Sequence, residues 1–168
     1  NDVLLIEAAA GRAEAMADMA VSTLHPTVSS LQPDFAANAG ATPGFAHVRW
    51  DGRQRVRVTT LDHLIAEHGL PRYVKIDVEG FELEVLCGLS HPVALISVEY
   101  LPDLQDQTVA VIARLMEIGP YCFNPVRGET GHFLWSDWRT AAETVAWLKS
   151  QPAGTSSGDL YARLPEPK

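Results

Sequence analysis

Asp77, Glu79 and Glu99 are the residues of this chain whose types and spacing suit chemistry. Asp77 and Glu79 stand two apart at the end of an apolar run, and Glu99 closes the next one, ALISV. Paired carboxylates repel each other, so one of them keeps its proton to higher pH, which suits a general base or a metal ligand. The structural alternative is a helix cap, since an acidic side chain before a helix N-terminus gains about 0.3–1 kcal/mol from the dipole. A carboxylate ending an apolar strand costs burial energy unless it meets water or a partner. Glu99 therefore reads either as a site residue or as a salt-bridge partner of Lys75 or an arginine. Lys75, inside an apolar strand, is expected to snorkel or to pair with a nearby acid. The three carboxylates together would also suit a divalent cation bound through oxygen, although no metal site is assigned.

The elements that must position these residues are legible around them. Residues 74–89 read as a strand, a glycine turn at Gly80 and a short helix from Phe81 to Cys87 that Gly88 ends. A second apolar strand follows at once. Strand, helix, strand at this spacing is a βαβ unit, whose strands lie parallel in one sheet. All three carboxylates then fall at the carboxyl edge, where open α/β sheets bind ligands.

Upstream, Val3 to Ile6 reads as a buried strand ending on Glu7, and Glu14 to Val21 as an edge-like strand. HPTVSSL, from His25, opens a loop rich in Pro, Ala, Gly and Asn that runs to Phe45; loops this long are usually functional or mobile. HVRW, Asp51-Gly52 and RQRVRVTT read as a β-hairpin, with Val48 and Trp50 facing Val56 and Val58. Thr60 caps a helix through His68, stopped by a left-handed Gly69. Downstream, Gln105 to Ile118 is a helix with a stripe of Val109, Ile112, Ala113 and Met116. Strands are expected from Tyr121 to Asn124, from Phe133 to Trp135 and from Leu160 to Arg163. Thr140 and Glu143 form the capping box of a helix ending near Lys149.

The 168 residues suffice for one domain with a real core. A net charge of −8 argues against a nucleic-acid partner, because counterion release needs clustered Lys and Arg. Arg49, Arg53, Arg55 and Arg57 alternate with apolar residues and read as the wet face of a strand. No apolar run is long enough to span a membrane. Two cysteines, Cys87 and Cys122, without metal-type spacing fit a reducing, cytoplasmic setting. His25 and the neighbouring Ser29 and Ser30 are candidate contacts for a polar ligand. A solvated histidine and a plain turn are the structural alternatives.

The stretch VTTLDHLIAEHGLPRYVKIDVEGFELEVLCGL, from Val58 to Leu89, resembles the core of the FkbM-type methyltransferases. It has a T-L-D helix start, then K-I-D-V-E-G, then E-L-E-V-L-x-G. SVEY at Ser97 to Tyr100 is similar to the family's next strand end, and HPTVSSL to its serine-bearing loop. The resemblance spans about residues 3 to 100 and is strongest over 58–100. It implies an α/β fold with the class I (Rossmann-like) methyltransferase sheet, mostly parallel with an antiparallel end, and S-adenosylmethionine as cofactor. It implies methyl transfer to a hydroxyl oxygen of a small molecule, sugar or lipid. Carried over, Asp77 and Glu79 are catalytic, and Glu7 and Ala8 lie near the adenine edge. Glu99, His25, Ser29 and Ser30 are the candidate contacts for the acceptor. The family's glycine-rich loop and the acidic residue that holds the ribose are expected upstream of Asn1, so the chain reads as a single partial domain lacking its first two strands. The alternative is a non-catalytic α/β binding domain that does not hold the cofactor. Acceptor choice is expected to rest in the loops Leu31 to Phe45 and Pro125 to His132.

Overall fold

The computed structural model describes residues 3–32, 47–101, 104–152 and 154–166. Residues 33–46, in the long Pro/Gly-rich loop, lie outside the described residues, and with them most of the expected Leu31 to Phe45 acceptor loop. The chain forms two sheets. The first is three-stranded in the order β1 (Ala9–Ala10), β3 (Gly52–Thr59), β2 (Ala15–Val21), with β1 parallel and β2 antiparallel to β3. The second is four-stranded in the order β4 (Tyr73–Ile76), β5 (Leu95–Tyr100), β7 (Gly158–Arg163), β6 (Cys122–Arg127). There β4 and β5 are parallel, and β7 runs antiparallel to both β5 and β6. The strands β4, β5 and β6 thus share one direction, with a single reversed strand between the last two.

Four helices complete the described fold: α1 (Leu61–His68), α2 (Glu82–Cys87), α3 (Gln105–Ile118) and α4 (Ala141–Lys149). Their ends follow local rules. Thr60 caps α1 by accepting the His63 N–H, and Gly69 at φ 87° stops it. Thr140 and Glu143 cap α4 reciprocally. The core lies between one face of the four-stranded sheet and α2, α3 and α4. Ile76, Ile96, Val98, Phe123 and Leu160 from the strands meet Leu86, Ile112, Leu115 and Leu148 from the helices. Side chains alternate along a strand. The opposite face therefore carries Tyr73, Lys75, Ser97, Glu99, Asp159 and Tyr161, matched by the pairings Lys75 with Ser97 and Glu99 with Asp159.

Several expectations need correction. Residues 3–6 form no strand; Val3, Leu4 and Leu5 are 91%, 69% and 80% exposed. An apolar run becomes a strand only where a free edge receives it, and the edge of β3 on that side is taken by Ala9–Ala10. The Asp51-Gly52 hairpin does not form either. β3 is a central strand with β1 and β2 on its two edges, so residues 47–50 have no ladder left to join. Asp51 instead accepts the Thr23 N–H at 3.0 Å and also the Thr23 hydroxyl. Phe133 makes one isolated bridge to Val126, not a strand. The inward face of α3 is Thr108, Val111, Ile112 and Leu115, and Met116 is 42% exposed. The apolar arc of this helix is broad, and its neighbours α2 and α4 select which part of it turns inward.

The contact that joins the two sheets is tight. Asp62 donates its N–H to the Gly88 carbonyl at 3.0 Å, and a Cβ on Gly88 would stand 2.1 Å from the Gly11 carbonyl oxygen. Gly88→Ala therefore forces backbone apart, and we expect it to destabilise the chain by about 1–3 kcal/mol. Chemical denaturation of the variant beside the parent chain checks this.

Candidate functional site

The site is built by one turn and three carboxylates. β4 ends at Ile76, and the chain must turn back within the five residues 77–81 to start α2 at Glu82. It does so through Glu79 at φ 52° and Gly80 at φ 90°. Glycine adopts such angles freely, but an L-residue in the left-handed region costs about 1–2 kcal/mol. The strain at Glu79 is offset by three groups that hold the turn from different elements. Glu82, only 5% exposed, accepts the N–H of Gly80 at 3.0 Å and of Val78 at 3.4 Å. Gln107 on α3 donates through Nε2 to the Gly80 carbonyl at 2.6 Å and to the other Glu82 oxygen at 3.0 Å. Ser30, also buried, donates its hydroxyl to the Glu79 carbonyl at 2.8 Å. Hydrogen bonds to a charged group contribute about 1.5–3 kcal/mol each, which outweighs the strain.

This turn brings Glu79 back over the sheet edge beside Asp77 and Glu99. One carboxylate oxygen from each of the three residues lies within 4.8 Å of the other two. Glu79 reaches Asp77 through this turn and not along the strand, which ends at Ile76. Lys75 reaches the cluster from beside it, with Nζ 3.5 Å from Asp77 and 3.1 Å from Asp159. The charge balance stays negative. Burial pushes the Glu79 carboxyl up to about 7, helped by the neighbouring Asp77 and Glu82 charges. Burial and the charges of Glu79, Asp77, Glu82 and Asp159 push Glu99 up to about 8. Burial also raises the Glu82 carboxyl, against its hydrogen bonds from the turn. Near neutral pH, Glu79 thus accepts or releases a proton readily, and Glu99 is mostly protonated and able to donate one.

Of the other candidate residues, Ser30 joins the site through its bond to Glu79 and its backbone bridge to Ala20 on β2. Ser29 donates to the Pro26 carbonyl at 2.8 Å, and the His25 ring lies edge-on to His47 at 5.0 Å. Glu7 and Ala8 line an open groove on the first sheet with Met19, Gln54 and Arg55. No contact among the described residues ties these four to the carboxylates. Glu82, Gln107 and Asp159 are the functional neighbours that sequence reading did not single out. Glu82 carried a faint signal, a carboxylate at the start of an apolar helix three residues after Glu79. Gln107 and Asp159 are distant in sequence and carried none.

A mixed α/β domain here gathers carboxylates at the ends of parallel strands, the edge at which open α/β sheets bind their ligands. The sequence matches the methyltransferase FkbM domain over residues 2–151, and the chain belongs to that family. No curated protein and no solved structure matches it.

Burial of Glu79 and Glu99 fixes the sign of a pH effect. Both folded-state values lie above the ordinary 4.5, so the folded chain holds protons that the unfolded chain has released. Their contribution to stability is complete below about pH 4.5 and is lost as pH rises through about 7 and 8. We expect the melting temperature to fall between pH 5.5 and 8.5, and Glu79→Gln and Glu99→Gln each to flatten part of that fall. Gln107→Leu, which removes the donor from the Gly80 carbonyl and from the second Glu82 oxygen, is expected to cost about 1–3 kcal/mol. Thermal scans across pH on the four proteins check both statements.

Proposed function

We propose that this chain carries the acceptor side of an S-adenosylmethionine-dependent O-methyltransferase site, with Asp77 and Glu79 at the reacting atoms. The observation that carries this reading is the convergence of Asp77, Glu79 and Glu99 at the strand ends of an FkbM-family chain. The order β4-β5-β7-β6, with β7 reversed, supports it, because that is the order expected of the second half of a class I methyltransferase sheet. The residues present fit one end of the cofactor. Its sulfonium is a cation, and the cluster has more carboxylates than Lys75 neutralises. Its carboxylate end needs backbone donors at a glycine-rich strand–helix turn. No such turn is found among the described residues. When bound, S-adenosylmethionine supplies an electrophilic methyl group.

The chain's own residues then have distinct tasks. Glu79, titrating near 7, takes the proton of the acceptor hydroxyl. Asp77 accepts a hydrogen bond from a neighbouring hydroxyl of the acceptor and so fixes the direction of the reacting one, which is where positioning lowers the barrier. Glu99, mostly protonated at neutral pH, donates to a second acceptor oxygen. Ser30, Glu82 and Gln107 hold the turn that aims Glu79. We assign Glu7 and Ala8 to the adenine edge. His25 and Ser29 are assigned to the outer acceptor side, because Ser30 ties their segment to Glu79.

In the full gene product, Asp77→Asn and Glu79→Gln keep shape and remove charge; Glu79→Gln, which removes the base, is expected to lose about 10²–10⁴-fold in single-turnover methyl transfer, and Asp77→Asn less. The rate of the parent enzyme is expected to rise with pH through about 7 as Glu79 loses its proton, and Glu79→Gln to abolish that limb. Melting temperatures on the same samples separate chemistry from folding. Normal rates in both variants would make these carboxylates structural.

A further inference from the structure

The carboxyl edge of the four-stranded sheet extends past the carboxylate cluster into a second feature. β6 ends at Arg127 and β7 begins at Gly158, so the loop after β6 and the start of β7 lie at the same edge as Asp77. Between them is a cavity of about 260 Å³, walled by Phe133, Tyr161, Glu129 and Asp159. Drug-sized ligands occupy about 300–1,000 Å³, so this space suits one small ring.

Its walls are of two kinds. Phe133, 48% exposed, stands edge-on to Tyr161 at 5.3 Å and against Trp138 at 5.2 Å, so the rings brace one another while Phe133 stays open to solvent. Asp159 and Glu129 supply acceptors. Lys75 holds Asp159 at 3.1 Å and Asp77 at 3.5 Å, and so it links the cavity wall to the carboxylate cluster. Glu129 has no hydrogen-bond or ion-pair partner among the described residues.

This combination selects a ligand by exclusion. An alkyl chain would shield the carboxylates from water without bringing them donors. A planar aromatic ring would stack but bring few donors. Phosphate is repelled by Glu129 and Asp159. An organic cation would reach Asp159 only by displacing Lys75, which already holds both of its oxygens. A sugar ring meets every wall. One of its faces is a layer of C–H groups that lies on an aromatic ring, and its rim of hydroxyls both donates and accepts. Lys75 and Asp159 present a donor and an acceptor side by side, which matches a pair of adjacent hydroxyls.

We propose that this cavity is the acceptor subsite and that the acceptor is a carbohydrate, its ring on Phe133 and Tyr161 and one hydroxyl directed past Lys75 to Asp77 and Glu79. The assignment of the hydroxyl rests on the methyl-transfer reading above; the sugar site itself does not. Saturation-transfer NMR of this chain, without cofactor, with methyl gluco-, galacto-, manno- and rhamnopyranosides tests it. Cyclohexanol, phenol and butylammonium serve as the competing chemistries. At least one glycoside is expected to receive saturation on the C–H protons of one ring face and to bind at least five-fold more tightly than all three competitors. Phe133→Ala and Glu129→Gln are each expected to weaken it at least three-fold. Both residues are exposed, so both variants should fold, and an unchanged melting curve confirms it. No glycoside binding, equal binding of a competitor, or affinity unchanged in both variants would overturn the proposal. Glycoside binding without methyl transfer in the full gene product would keep the subsite and remove the methyl-transfer reading.

Discussion

The organising constraint is the left-handed turn at Glu79 and Gly80. Everything chemical at this edge depends on a carboxylate that has left its strand and been folded back beside two others. That arrangement opposes itself twice, through backbone strain at φ 52° and through mutual repulsion among acids. It persists because the backbone polar groups of the turn are satisfied from three separate elements. Glu82 comes from α2, Gln107 from α3, and Ser30 from the segment after β2. A turn so held resists relaxation, and resistance to relaxation is what a preorganised reacting group requires.

The same bonds explain why the two sheets act as one unit. Ser30 bridges Ala20 on β2 by backbone and Glu79 by its hydroxyl, so the first sheet reports directly on the site. The contact of Gly88 with Gly11 and the Asp62 N–H to the Gly88 carbonyl do the same at the far end of α2. Arg12 adds a bidentate pair with Glu84 on the outside of that helix. α2 is short, and these ties at both ends, rather than its own hydrogen bonds, fix where it begins. Elsewhere the domain is conventional. Cys87 and Cys122 are free thiols, and no helix among the described residues is long and apolar enough to cross a membrane.

Much of this was legible in the sequence where local rules decide. The caps at Thr60 and Thr140, the stop at Gly69 and the span of α3 follow from a few residues each. The βαβ unit and the placing of Asp77, Glu79 and Glu99 at one sheet edge followed from strand direction, but the left-handed turn that folds Glu79 back beside the other two did not. What failed was pairing. The Asp51-Gly52 signal is locally sound, yet β3 gives both edges to strands that precede it, and no window around residue 51 contains that fact. Residues 3–6 failed for the same reason, since apolar composition does not say whether an edge is available. Gln107 and Asp159 were invisible because their partners lie on other elements, 27 residues away for Gly80 and 84 for Lys75.

The central claim is that the Glu79 turn brings three carboxylates close enough to govern one another's protons. Carboxyl ¹³C NMR titration of this chain, with glutamate labelled, measures it directly. The account predicts midpoints near 7 for Glu79 and near 8 for Glu99, with the Glu99 midpoint falling when Glu79 is replaced by Gln. Midpoints for both near the ordinary glutamate value of 4.5, unmoved by that replacement, would contradict it.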